Sequence, residues 1–559
     1  MKSKNTYRIL IAVAFCFIGQ KGICRNDPPQ KYDSEARARS YEDLKQFMRE
    51  GERTTSHEKC GFPVISYAIR HRDALNPEER SALQIVLDRP ATQKSILSGL
   101  VRVHYDTTGA AAPAMLDSLY RQIPGTSDQF ADSVAAIANY CMSFETQTLG
   151  YLPIPSDGDA GGGPEHDIYI TNLGDYGYTT PDSALLIKPD GQDGGTWTSF
   201  TTIDNAFQFV DPEYNRGLPA LRVTLAHELH HSIQIGNYGY WSSDIFFYEI
   251  TSVWMEDVVF PQVKDYLQYT SSSEGHFANP QTPFNSGDFI MYSRAIWAHF
   301  VAKRFGRNAI LQSWQEITVA PPLQAIDRAL QRGPYYSSFK SAFAEWTVWN
   351  YFTGARSDST LYYPEGALYP EIISSAVNFS PPSQSVGGSL PVLASNYYSI
   401  RFGTENEPLV VSNIELDSAV TGYGGLFQYI STLSEQANTS LSASLNVPDP
   451  SNWYSKVLVG RNPINTPFPD PFRANGSNQI SFPVNGSAPV KGTLSIFSSD
   501  MKRVYSGVLT TTLSTLIGGE VFQWNGMKDN NEPASSGVYI YFIQIPGESI
   551  KGKFALLRK

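Results

Sequence analysis

Near residue 380 the spacing of the apolar residues changes, and with it what the chain can fold into. Up to that point the middle of the sequence repeats apolar residues at helical spacing, in residues 221–236, FFYEITSVWMEDVVF, MYSRAIWAHFVAKRF and YYSSFKSAFAEWTVWNYF. Beyond it, short runs of Val, Ile, Tyr and Thr are separated by Gly, Pro, Asn and Ser, the pattern of all-β modules. One core cannot satisfy both periods, so the chain divides. Its 559 residues exceed an ordinary domain of roughly 100–200 residues. A hydrophobic content of 41% against 17% charged residues supplies apolar side chain for several cores.

The expected units follow the texture. Residues 1–24 read as a secretory signal peptide, because Lys2, Lys4 and Arg8 lead into an apolar run at 9–18 followed by small and polar residues. That run is too short to span about 30 Å of hydrocarbon, and no later stretch approaches the required length, so no membrane span is expected. Residues 25–100 are charged and helical, as a propeptide or a plain extension would be. Residues 101–380 open with strands at LVRVHYDTT and HDIYITNL around a helix and continue as helices, an α+β domain. Two β-sandwich modules then fit residues 381–465 and 466–559, the second entered through the linker GRNPINTPFPDPFRANGSNQ.

Signal cleavage near Cys24 leaves Cys60 and Cys141 as the thiols of a secreted, extracellular or surface-exposed chain. Two cysteines in an oxidising compartment suggest one disulfide, and the competing reading is two buried free thiols. A net charge of −11 excludes a nucleic-acid partner that depends on phosphate neutralisation.

The chemistry concentrates in VTLAHELHHSIQ. On a helix His227 and His231 project from one face one turn apart, where both imidazoles reach one tetrahedral ion, and Glu228 lies beside that ion as a base. Val223, Leu225, Ala226, Leu229 and Ile233 bury the segment. A third ligand is required. No His follows at the short HExxHxxGxxH spacing, which excludes the metzincin pattern. The next helix offers Glu249 and Glu256, seven residues apart on one face. Glu249 is expected as ligand and Glu256 as the carboxylate that orients an imidazole, with His230 as a fallback ligand. Tyr292 is the expected oxyanion donor, with His299 and Tyr248 as alternatives. The strand HDIYITNL offers an edge for an extended peptide. Asp157, Asp159 and Asp167 offer the oxygen ligands that Ca2+ takes, although Asp and Gly also make ordinary turns.

HELHHSIQ followed by YEITSVWMED resembles the HExxH plus downstream Glu arrangement of secreted bacterial gluzincins. It is similar in particular to a group of secreted metalloproteases named after a myxobacterial member, whose second motif reads E-G-T-A-x-W-M-E. VHYDTTG, LGYLPIPSDGDAGGG and YGYTTPDS resemble that group as well, so the likeness spans roughly residues 55 to 370. It implies a zincin-like domain with Glu249 as ligand of Zn2+. Ile250 departs from the group's Gly, and Val253 from the Asp of thermolysin-like enzymes. At the C-terminus Trp524, Gly526, Pro533, Gly537, Tyr539 and Tyr541 resemble an immunoglobulin-like domain of exported bacterial proteins and a type IX secretion sorting domain. That likeness implies export machinery as a partner.

The expected fold is therefore a zincin-like α+β metalloprotease domain followed by two immunoglobulin-like sandwich modules. The expected function is a secreted zinc endopeptidase acting on protein or peptide substrates, in which Glu228 takes a proton from zinc-bound water. The rival is a catalytically silent surface-binding protein with a structural zinc site.

Overall fold

A mixed five-stranded sheet and the helices laid on it hold the HELHH segment. The computed structural model describes residues 7–17, 59–188, 193–378, 383–388, 393–402, 409–415, 425–432, 440–447, 453–459, 467, 472–474, 478–484, 489–499, 501–514 and 519–558. After strand β1 (Tyr7–Phe17) come helices α1 (Phe62–Arg70) and α2 (Pro77–Leu87) and strands β2 (Lys94–Ser98) and β3 (Val101–Tyr105). Helix α3 (Ser127–Ser143) then crosses to β4 (His166–Thr171), and β5 (Gly177–Leu186) and β6 (Thr196–Asp204) complete the sheet. The strand order is β2-β3-β4-β6-β5. Strands β3, β4 and β6 are parallel, and β2 and β5 are antiparallel edges.

Strand β4 is HDIYIT, and its first five residues are all buried, as an interior parallel strand requires. It lies between β3 and β6, so the expectation that it offers a free edge to a peptide is corrected. Its backbone already pairs on both sides. The edge strand of this sheet nearest the HELHH helix is β5. There Gly177 permits an approach no side chain would allow, since a Cβ would meet the Thr202 carbonyl oxygen at 2.8 Å and Thr224 Cγ2 at 3.1 Å.

Helix α4 (Leu218–Asn237) carries the motif and α5 (Ile245–Val259) follows it, each almost wholly buried. Helices α6 (Leu267–Thr270), α7 (Ile290–Ser293), α8 (Ala295–Phe305), α9 (Asn308–Ile317), α10 (Pro322–Arg332) and α11 (Phe339–Trp349) complete the helical layer. Trp254, Trp297, Trp314 and Trp346 fill one continuous core with it. A helix so enclosed has no polar face, so every polar side chain on α4 must find a protein partner.

Only the start of the N-terminal helices enters this core; Val64, Ala68, Leu75 and Leu83, and Ile65, Val86 and Tyr178, form two small clusters of their own. Cys60 and Phe62 are buried with α4 and α5, and the β2–β3 hairpin straddles residue 100. Residues 25–58 of the expected helical region lie outside the described residues. Asn76 and Glu79 close a capping box at α2, and Pro77 occupies its first turn. The expected disulfide is corrected: Cys60 and Cys141 are free and buried in different surroundings, Cys60 against Glu228 and Glu249 and Cys141 in α3 against Glu145.

The C-terminal third is all β. Strands β7 (Ser375–Asn378), β9 (Ser395–Phe402), β11 (Gly425–Thr432) and β12 (Ser440–Val447) form a five-stranded sheet with β1. Strands β8 (Ser383–Gly388), β10 (Leu409–Glu415) and β13 (Trp453–Val459) form a three-stranded one. The apolar run assigned to a signal peptide is thus a strand in the unprocessed chain, antiparallel to β9 and β11. Its Ile, Val and Phe content suits a strand as well as an export signal.

Last come β14 (Phe472–Arg473), β15 (Ile480–Pro483), β16 (Lys491–Ser498), β17 (Arg503–Thr510), β18 (Thr512–Ser514), β19 (Gly519–Trp524), β20 (Gly537–Ile545) and β21 (Glu548–Leu557). They make two sheets that share a core of Phe482, Leu494, Ile496, Phe522, Trp524, Tyr541 and Phe554. The expected terminal hairpin is β20–β21, turning at Pro546 and Gly547. Gly526 has φ +80°, and Trp524 Nε1 donates to the Met527 carbonyl at 2.8 Å, which fixes the turn that the W-x-G motif marks.

Two of the buried imidazoles outside the HELHH segment, His166 and His299, set an acid limit. Burial pushes His166, whose Nε2 lies 3.0 Å from Thr201 Oγ1, down to about 4. Burial likewise lowers His299, stacked on Tyr266, to about 4. Both fold as neutral rings, so the stability they contribute is present above about 6.5 and is lost as pH falls through about 4. Each should remove about 3 kcal/mol across that window. Denaturant titrations from pH 7 to 4 check this, and replacing His299 with Gln should flatten part of the slope.

Candidate metal centre

Two helices and one strand-like segment bring the candidate ligands together. Helix α4 presents His227 and His231 with their Nε2 atoms 3.0 Å apart. Helix α5 presents Glu249, whose Oε2 lies 3.1 Å from His227 Nε2 and Oε1 3.1 Å from His231 Nε2. Neither carboxylate oxygen has an aligned hydrogen-bond donor. Cys60 completes the group: one ligand atom from each of Cys60, His227, His231 and Glu249 lies within 4.8 Å of every other, and all four residues are buried.

The tautomers point the same way. His227 Nδ1 is 2.8 Å from Glu256 Oε1, and His231 Nδ1 is 2.8 Å from Gln234 Oε1. Each Nδ1–H is thereby spent outward, which turns both Nε2 lone pairs onto one point with the Glu249 oxygens. Lone pairs crowded there repel unless a cation lies among them. Without a metal, a proton on His227 takes that part, because the carboxylates around the point draw positive charge to it. Burial alone disfavours charge on His227, but Glu249, Glu256 and Glu228 outweigh it and push the imidazole up to about 10. Burial raises Glu249, yet His231 and His227 hold its carboxyl down to about 2. Two imidazoles, a carboxylate and a thiol form the N/O/S donor set of zinc at its usual coordination number, so the residues fit that ion.

Glu228 stands beside the cluster, buried. Thr179 Oγ1 of β5 donates to its Oε2 at 2.8 Å, and burial together with the charges of Glu228 and Glu249 pushes the neighbouring Cys60 thiol up. Glu256 is held from behind by Lys59, whose Nζ lies 2.6 Å from Glu256 Oε2 and 2.5 Å from Asp265 Oδ2. Burial works against the Lys59 charge, but Asp265 and Glu256 outweigh it and its pKa is raised. Asp265 also accepts from Asn215 Nδ2 at 3.0 Å.

The other sequence candidates divide. Tyr292 is buried, and its hydroxyl donates to the Cys60 carbonyl at 3.4 Å. Tyr248 spends its hydroxyl on the Gly239 carbonyl and the Trp241 amide, and His299 stacks on Tyr266 away from the cluster. His230 faces the other side of α4, with Nδ1 2.7 Å from Glu145 Oε2. Of the calcium candidates, Asp157 and Asp167 face the Arg89 guanidinium together with Asp182. Asp159 lends its backbone carbonyl to a turn with Gly162.

Sequence reasoning missed Lys59, Thr179, Gln234 and Ser252, whose Oγ lies 3.2 Å from His231 Nδ1, and took Cys60 only as a disulfide partner. Gln234 had a local signal, being three residues beyond His231 on the same helix. The others arrive through the sheet or through packing between helices, at separations no periodicity reveals.

No family model and no curated protein sequence matches this chain. Among solved structures, PorZ, a surface component of the type-IX secretion system of Porphyromonas gingivalis, aligns at 15% identity over 23% of this chain and 21% of that one, with a TM-score of 0.13. Dimeric latent PorU from Porphyromonas gingivalis aligns at 11% identity over 32% of this chain and 14% of that one, with a TM-score of 0.14. The chain thus matches about a fifth and a seventh of those two proteins, and alignments of that extent assign neither fold nor activity. Among the described residues no helix is long and apolar enough to cross a membrane.

The ligand geometry makes a direct prediction. Glu249→Gln should cost zinc affinity more than Glu256→Gln, whose loss as an orienting partner is expected to cost about 10–100-fold. Competition titrations with a chromogenic chelator rank the two. Equal losses would remove Glu249 from the ligand set.

Proposed function

We propose that this protein is a secreted zinc endopeptidase that hydrolyses peptide bonds of extracellular proteins. The observation that supports this reading is the meeting of His227 Nε2, His231 Nε2 and the Glu249 carboxylate at one buried point with Glu228 alongside. When bound there, zinc supplies the Lewis acidity that amide hydrolysis needs. The rest is the work of the chain. Glu228, steadied by Thr179, receives a proton from the attacking water and returns it to the leaving amine. Tyr292 supplies a hydroxyl directed at a peptide carbonyl, as its contact with Cys60 illustrates. Strand β5 offers an antiparallel edge for an extended substrate. In this reading the core that houses α4 and α5 is the zincin-like domain, and the two β units are immunoglobulin-like modules, the last engaging export machinery.

A second reading has its own support. Cys60, His227, His231 and Glu249 offer four ligands, and closed four-ligand sites are the mark of structural zinc. The chain would then be a surface-binding protein without catalysis. Zinc analysis combined with a peptide-library digest separates the two, using the full chain and a variant lacking the Cys60 sulfur. The endopeptidase reading expects about one zinc per chain, and cleavage that a chelator stops and zinc restores. Failure of both forms to cleave while holding zinc would favour the structural centre.

A further inference from the structure

We infer that Cys60 is the fourth ligand of the metal and that the segment carrying it plugs the active site, so that the chain as folded is latent. The inference rests on the metal-centre reading above.

Three observations converge on the segment. The first is the position of the sulfur. Cys60 Sγ belongs to the same buried cluster as both imidazoles and Glu249, with the Glu228 carboxylate near enough to act on the thiol. A water to be activated must take a coordination position beside the two imidazoles and Glu249, and as a fourth donor in that cluster the sulfur would fill it. The Phe62 amide donates to Cys60 Sγ at 3.3 Å, which holds the sulfur pointing inward. A bound metal would take the sulfur as thiolate, its proton being released to solvent.

The second observation is the backbone. Cys60 forms a parallel bridge with Gly177, and the Gly61 amide donates to the Gly177 carbonyl at 3.0 Å. The segment therefore pairs with the beginning of β5, the edge a substrate would use. The Cys60 carbonyl receives the Tyr292 hydroxyl, and the Phe62 ring stacks on His231 at 4.4 Å. The chain lays its own peptide along the substrate slot, with its carbonyl at the oxyanion donor and a side chain on the metal. The third observation is Glu249, fully buried with both oxygens free of aligned donors and aimed into the same point. It marks the point as a cation site independently of the cysteine.

A structural centre would need the four ligands and nothing more. Here a base, its Thr179 partner and a carbonyl-directed hydroxyl surround the sulfur as well, which is the equipment of a reaction held in check. Activity then requires the segment 59–61 to withdraw, through cleavage beyond it or displacement of the thiolate.

Cobalt substitution of the full chain tests the ligand, and two variants test the plug. Wild-type chain loaded with Co2+ should show a thiolate-to-cobalt charge-transfer band in the near ultraviolet. Cys141→Ser should keep that band, and Cys60→Ser and Cys60→Ala should lose it while still binding cobalt. With zinc, the two Cys60 variants should cleave an unfolded protein at least about tenfold faster than wild type, since the competent fraction is no longer suppressed. The wild-type spectrum needs no variant to fold. Absence of metal uptake by the wild type would overturn the metal-centre reading itself. Uptake without the sulfur band would overturn this inference and leave that reading standing. A band in the wild type, with Cys60 variants that hold zinc and gain no activity, would overturn latency.

Discussion

Glu228→Gln, made in a chain opened by Cys60→Ser, should slow peptide hydrolysis by about 10²–10⁴-fold and leave zinc content at about one ion per chain. The amide keeps the volume of the side chain and can still accept from Thr179 Oγ1, which lies 2.8 Å from Glu228 Oε2 in the native chain. What it loses is the capacity to take a proton from water and return it to the leaving nitrogen. The ligands His227, His231 and Glu249 are untouched, so metal binding and catalysis should come apart in this one variant. Steady-state kinetics on an unfolded protein, with metal analysis of the same preparation, reads both quantities. Retention of full activity would mean that another group takes the proton, and the assignment of Glu228 would fall.

The largest effect on stability should come from Lys59. Lys59→Met removes the ammonium from between Glu256 and Asp265 and leaves two carboxylates buried without their shared counter-charge. Breaking a buried pair in this way costs roughly 3–5 kcal/mol, because the residual charge remains uncompensated. Glu256 also holds His227 Nδ1 at 2.8 Å, so the same change should weaken zinc binding as the imidazole loses its fixed orientation. Denaturant unfolding followed by tryptophan fluorescence, with and without zinc, checks both parts. A loss below about 1 kcal/mol would show that water reaches the two carboxylates in place of the lysine.

Much of this site was legible in the sequence, and the reason is locality. His227, Glu228 and His231 lie within one turn of a helix, and Glu249 and Glu256 are seven residues apart on the next. The periodicity of a helix fixes which side chains share a face before any tertiary contact is known. Cys60, Lys59 and Thr179 were not legible as site residues, because they reach the cluster through the pairing of the N-terminal segment with β5 and of β5 with β6. Strand pairing is set by topology, which a single sequence states weakly. The misreading of β4 as an edge has a similar origin: HDIYIT is compatible with either place, and its unbroken burial becomes a sign of the interior only once β3 and β6 flank it. The disulfide expectation failed because it drew on compartment and cysteine number, neither of which reports where two thiols point. The helix-to-strand boundary near residue 380 was visible because it changes the period of the whole texture.

The cluster joins positions 60, 227, 231 and 249, and this spacing gives assembly an order. The three ligands of α4 and α5 are neighbours along the chain and can gather as soon as two helices dock. Cys60 must close a loop of well over a hundred residues, and that closure is rewarded only after the sheet supplies Gly177 as its anchor. Its thiol is therefore the last donor to disappear from solvent during refolding. A pulse of alkylating reagent at successive times would read Cys60 as a clock, and the moment it stops reacting would date the completion of the fold.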